Sequence, residues 1–225
     1  MSRLQALGDS FTCGEGVGVQ VPLSLTWAAQ LAEALGLTHV SHAVAGARVR
    51  DVVTGQLPSI EPAEVSTVLV GLNDIARGGF DLAVVRAGLL ASVARLAEVS
   101  GTVVVGRLHD PSRVLWMPPP LRQLVRRRLA QVNAVVDEAA GLPRVTVVDL
   151  AAVPELQQPA GWAVDRVHPS AAGHRALGRA AAAELGHELP AAVELPAAPG
   201  LVRRAAWGAR HGAPYLAGQL IGRWT

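Results

Sequence analysis

Four short blocks of residue types suited to acyl transfer follow one another along the chain: Gly8-Asp9-Ser10, Gly46, Gly71-Leu72-Asn73-Asp74 and Asp165-Arg166-Val167-His168. Ser10 brings a hydroxyl nucleophile, a group nearly inert at neutral pH unless a base lies within hydrogen-bond reach. His168 is the candidate base, and Asp165 is the carboxylate that would orient its ring through Nδ1. A glycine at 46 lets the backbone approach a bound carbonyl and aim an N–H at it. The Asn73 amide can donate to the same oxygen, so both are candidate oxyanion donors. Each block alone also has a plain structural reading: Ser10 as a cap, Gly46 as a turn, Asn73 or Asp74 as an N-cap, Asp165 and His168 as a surface turn. Their occurrence together and in order favours chemistry, with hydrolysis of a carboxylic ester as the expected reaction.

Such chemistry requires remote segments to meet, and the hydrophobic pattern supplies a way. Apolar runs of strand length at 4–7, 38–44, 67–71, 102–108 and 145–150 alternate with segments of helical period at 24–35, 47–56, 81–99 and 119–140. A further helix is expected after Pro169. In the segment 119–140, Leu121, Leu124, Val125, Leu129, Val132 and Val136 make one apolar stripe, and Arg122, Arg126 and Arg127 read as a solvated face. Alternating strands and helices imply a parallel sheet covered on both faces, which binds ligands at the carboxyl ends of its strands. Ser10 follows the first run, Gly46 the second and Asn73 the third; Asp165 and His168 lie beyond the fifth.

Composition narrows the alternatives. The 225 residues suit one α/β domain and are short for two, and half of them are hydrophobic. All basic residues are Arg, so a Schiff-base lysine and a P-loop lysine are both excluded. Cys13 is the only cysteine, which rules out an internal disulfide and a cysteine-based metal site. The spacing of His39, His42, His168 and Asp165 matches no known ligand pattern, so neither metal nor cofactor is expected. Arg203, Arg204, Arg210 and Arg223 make the last 25 residues basic, and the formal charge of +2 therefore leaves the remainder about −2. A nucleic-acid partner is not expected. The first apolar strand starts at Leu4, which leaves no room for a signal peptide, and no apolar run reaches membrane-spanning length; a cytoplasmic protein is expected. Gly14-Glu15-Gly16-Val17-Gly18 lacks the dinucleotide-binding spacing and reads as a flexible rim beside Ser10.

With these residues in hand, the chain resembles the SGNH hydrolases, also called GDSL-type esterases. Gly8-Asp9-Ser10-Phe11 matches the first block, with Phe11 where leucine is frequent, and Gly46 matches the second. Gly71-Leu72-Asn73-Asp74 matches the third block and Asp165-Arg166-Val167-His168-Pro169 the last. The second block departs from the pattern in having Ser41-His42 where an asparagine is common. The resemblance spans about residues 3–186 and implies a flavodoxin-like three-layer α/β/α sandwich with a five-stranded parallel sheet. It implies Ser10 as nucleophile, His168 as base and Asp165 as its partner, with an oxyanion hole made by the Ser10 and Gly46 backbone N–H groups and the Asn73 side chain.

The expected organisation is a hydrolase domain at 1–186, a Pro/Ala-rich linker at 187–200 and a basic amphipathic segment at 201–225. That segment, with Trp207, Tyr215 and Trp224, is expected to dock on its own domain or on a second subunit; contact with anionic lipid is the less favoured reading. An oligomer is left open. Trp116 and Met117, on the Pro-rich loop 107–120, are candidates for an apolar wall around the acyl group, with packing beneath the loop as the equal alternative. The expected function is a serine esterase acting on small soluble esters through an acyl-enzyme on Ser10. An acyltransferase using the same intermediate, and a non-catalytic binding module, are the alternatives.

Overall fold

Leu4, Ala6 and Leu7 in the first apolar run are buried, as are Val103, Val104 and Val105 in the fourth. Runs without alternation are the mark of central strands covered on both faces. A computed structural model describes residues 2–16, 19–190, 200, 206–207 and 210. Its elements in order are β1 (Arg3–Gly8), α1 (Ser10–Cys13), α2 (Trp27–Ala34), β2 (Thr38–Ser41), α3 (Val49–Asp51), β3 (Ala63–Leu69), α4 (Leu72–Ala76), α5 (Leu82–Val99), β4 (Ser100–Arg107), α6 (Pro119–Ala139), β5 (Val145–Asp149) and α7 (Ala171–Glu184). The five strands form one parallel sheet in the order β2-β1-β3-β4-β5. That is the flavodoxin-like order, with the topological switch point beside β1 and β3. α2 packs with α7 over β1, β2 and β5, while α5 and α6 pack together over β3 and β4. The expected α/β/α sandwich is what the chain forms.

Local chemistry sets the ends of the helices. Asp81 caps α5 by accepting the N–H groups of Ala83 and Val84, and Ser170 caps α7 by accepting that of Gly173. Pro119 and Pro120 occupy the first turn of α6, where their missing N–H groups cost nothing. Buried polar side chains also sit in the sheet. Gln5 is buried, donates to the Glu61 carbonyl and the Ser66 hydroxyl, and accepts from the Glu61 N–H, so its amide is satisfied.

The structure differs from the sequence expectation in four places. β3 begins at Ala63, ahead of the apolar run, because Ala63 and Glu64 lie at the less buried start of the strand. β2 stops at Ser41, not at 44; beyond it, His42 and Val44 still donate to the Ala6 and Gly8 carbonyls, but in irregular backbone. The segment 47–56 is not one α-helix. α3 is a single turn that runs into a π-helical turn at Val52–Gln56, and the wider turn accompanies a Gln56 side chain that is buried against β1. Glu15–Gly16 pairs with Val19–Gln20 as a small antiparallel ribbon, so part of the expected flexible rim is hydrogen-bonded. Most of the expected linker 187–200 and of the segment 201–225 lies outside the described residues. No described helix is long and apolar enough to cross a membrane.

Candidate active site

Ser10, the candidate nucleophile, is held by its backbone. β1 ends at Gly8, whose φ is +143° and where a Cβ would stand 2.2 Å from the Leu69 carbonyl oxygen, so no other residue fits. The Gln56 amide grips Gly8 from the other side: its Oε1 accepts the Gly8 N–H at 2.8 Å and its Nε2 donates to the Gly8 carbonyl at 2.8 Å. Asp9 then caps α1, its Oδ1 accepting the Phe11 N–H at 3.0 Å, which leaves Ser10 as the first residue of that turn, at the switch point.

Asp165 and His168 come from a tight turn. Trp162 bridges Pro169, the Ala163 N–H donates to the His168 carbonyl at 2.8 Å, and the Ser170 N–H donates to the Gly161 carbonyl at 2.9 Å. Arg166, at φ +56°, closes the turn. One Asp165 oxygen accepts the N–H groups of Val167 and His168 at 2.9 and 3.0 Å, and the other meets His168 Nδ1 at 2.5 Å. His168 Nε2 lies 2.9 Å from Ser10 Oγ. With Nδ1–H donated to the carboxylate, Nε2 is the lone-pair nitrogen and accepts the Ser10 O–H. Burial alone would raise the Asp165 pKa. The hydrogen bond from His168, the imidazole charge and the two N–H groups outweigh it and hold the carboxyl below the ordinary range.

Opposite Ser10, α4 holds the Gly46 loop by two side chains. Asn73 Nδ2 donates to the Ala47 carbonyl at 3.1 Å, and Arg77, four positions on, donates through Nη1 to the Gly46 carbonyl at 3.1 Å. Gly46 has φ +79°. Among the described residues neither its N–H nor that of Ser10 has an acceptor. Asn73 is different: its second N–H goes to Asp9 Oδ2 at 3.1 Å, so both of its donors are already in use. Asp9 is buried, and burial raises its pKa to about 6 against the opposing pull of the Phe11 N–H, the His168 charge and the Asn73 amide.

A family model described as the GDSL-like Lipase/Acylhydrolase family matches residues 6–176, a span that contains all four blocks. The chain belongs to that family. Solved structures with similar folds include LAE5, an α/β hydrolase enzyme from the metagenome of Lake Arreo (21% identity, TM-score 0.63, covering 82% of this chain and 95% of that one). Axe2, an acetylxylan esterase from Geobacillus stearothermophilus, is similar at 22% identity and TM-score 0.59 over 85% and 97% of the two chains. A protein of the G-D-S-L family from Desulfitobacterium hafniense DCB-2 is similar at 16% identity and TM-score 0.64 over 82% and 99%. Comparison with curated protein sequences finds no match.

The sequence of this GDSL-like family member singles out further residues. Trp116 is 87% exposed on its loop, and Met117 packs onto the core. Phe11, His109 and Trp162 form an aromatic group beside His168: Phe11 lies 5.9 Å from Trp162 and 6.5 Å from His168, and His109 lies 4.6 Å from Trp162. His174 packs inside, where Nδ1 accepts the Trp27 N–H at 3.3 Å. Asp74 accepts the Val49 N–H at 3.1 Å and so ties α4 to α3. Arg122, Arg126 and Arg127 are exposed on α6, as a solvated face should be, and Arg126 pairs with Asp110. No group of three or more His, Cys, Asp or Glu residues among the described ones could hold a metal ion. Gln56 and Arg77 gave no sequence signal, because each touches a residue remote from it in sequence, Gly8 and Gly46 respectively.

Proposed function

We propose that the protein is a serine esterase that hydrolyses carboxylic esters of small molecules through an acyl-enzyme on Ser10. The observation that carries this is the 2.9 Å contact between His168 Nε2 and Ser10 Oγ, with the imidazole held from behind by Asp165. Ser10 Oγ attacks the ester carbonyl carbon while its proton passes to Nε2. The resulting imidazolium is stabilised by Asp165, and the tetrahedral oxyanion by the free N–H groups of Ser10 and Gly46. Asn73 would join them by giving up one of its resting partners. Collapse breaks the bond to the alcohol, which leaves with the proton from His168. Water then repeats the sequence on the acyl-enzyme: His168 takes its proton, and the acid and free Ser10 are released. Family membership supports acyl hydrolysis as the reaction class. Catalytic mutants of Axe2 replace a serine, an aspartate and a histidine, the last two with the spacing of Asp165 and His168, which supports the roles given to the triad. A cavity of about 380 Å³ is lined by Gly46, Val44, Ala45, Ala47 and the π-turn, and the triad residues are not part of its wall.

Ser10→Ala tests the proposal. Turnover of p-nitrophenyl acetate should fall to the background rate, and labelling of the native protein by a fluorophosphonate should be lost, with the circular dichroism spectrum unchanged. Undiminished turnover in the variant would end the assignment.

A further inference from the structure

Arg77 does more than its backbone contact requires. It stands four positions after Asn73, so α4 and its C-cap carry both residues to consecutive carbonyls of the Gly46 loop. The guanidinium lies against Gly46 itself, with Nη2 2.9 Å from the point where a Cβ on that residue would stand. It is half-buried against Gly46, and Gly46 itself lines the 380 Å³ cavity. Only Nη1 has an acceptor, and no carboxylate among the described residues lies within ion-pair distance. Asp51, on the wall of the same cavity, is already engaged by the Arg48 N–H and sits 3.6 Å from Arg50. A planar fork of N–H donors, partly desolvated and unpaired, matches the two oxygens of a carboxylate.

We propose that Arg77 recognises a carboxylate on the substrate, so that the preferred esters carry a second, anionic group close to the reacting carbonyl. This rests on the esterase reading above. The carboxylate belongs either to the acyl part or to the alcohol part, and the test separates the two.

On the acyl side, the p-nitrophenyl monoester of glutarate is compared with p-nitrophenyl valerate, which has the same chain length. On the alcohol side, acetoxyacetate is compared with ethyl acetate. The readout is the ratio of kcat/KM for the anionic to the neutral ester, in the native protein, Arg77→Gln and Arg77→Lys. In one of the two pairs Arg77→Gln should lower that ratio by about tenfold to a hundredfold, the range of a charge-assisted hydrogen bond, and Arg77→Lys should restore part of it. An unchanged ratio in both pairs, whatever the absolute rates, overturns the proposal and leaves Arg77 as a clamp on the Gly46 loop. Should the native protein hydrolyse none of the four esters, the esterase reading fails, and calorimetric titration with glutarate and with glycolate judges Arg77 separately. Binding of either that is lost in Arg77→Gln upholds the anion site; equal or absent binding overturns it.

Discussion

Asn73 carries a conflict that only its partners reveal. Its two amide hydrogens are donated to Asp9 and to the Ala47 carbonyl, yet the proposed oxyanion role calls for one of them. The Ser10 and Gly46 N–H groups face no such competition. The contribution of Asn73 is therefore measurable as a difference: Asn73→Ala should lower kcat for a chromogenic ester about a hundredfold with little change in KM, the size expected for one lost oxyanion donor. A fall of less than about fivefold would mean that two backbone donors form the whole hole. Ser10, Asp165, His168, Gly46 and Asn73 could be named as candidates from the sequence because each lies in a short block whose residue types suit acyl transfer. What those residues touch at rest was not legible. The Asp9–Asn73 contact joins positions on β1 and α4, and no local pattern encodes it.

At the scale of elements, the switch point is a joint between an edge strand that ends early and a π-turn that completes it. β2 stops at Ser41, so the outward N–H of Gly8 has no strand partner, and Gln56 supplies the missing acceptor. The Gly8 carbonyl keeps a second donor, the Val44 N–H at 3.1 Å, but the Gly8 N–H has Gln56 alone. Gln56→Leu should therefore cost about 1–3 kcal/mol in urea unfolding, the penalty for one buried N–H left unsatisfied. The same change should lower kcat more than it alters KM, since Ser10 sits two residues beyond the released backbone. Loss of stability with unaltered kcat would show that α1 positions the nucleophile without this joint. Strand and helix order followed from hydrophobic period, because the central runs are buried on both faces and the long helices present one apolar stripe. The π-turn did not follow from it: Val52-Val53-Thr54-Gly55-Gln56 has ordinary helical spacing, and its geometry answers a hydrogen-bond demand made by a strand far away in sequence.

Across the whole molecule, three buried groups with large shifts contribute to how stability responds to acid, beside the lowered carboxyl of Asp165. Burial lowers the His109 pKa to about 4 and, together with the His168 charge, lowers that of His174 to about 3. In the unfolded chain both imidazoles titrate near ~6.5. Below that value the unfolded chain binds protons that the folded one refuses, so the stability these two residues contribute is complete above ~6.5 and is lost as the pH falls toward their folded values. Asp9 acts in the opposite sense. Its folded pKa of about 6 exceeds that of an unfolded aspartate, so between the two values the folded state holds the extra proton and gains stability as the pH falls. His109 is the group to remove, since its Nδ1 is buried without a partner and its ring stacks on Phe11 at 5.6 Å, a place a phenyl ring can take. His109→Phe should be at least as stable as the native protein above pH 7, because it deletes an unsatisfied polar atom. Between pH 4.5 and 5.5, urea unfolding should show the native protein losing about 1.4 kcal/mol more than the variant, the linkage value for one proton over one pH unit. Parallel stability curves would mean that the folded protein protonates His109 as readily as water does, and the aromatic layer beneath the triad would then be hydrated rather than dry.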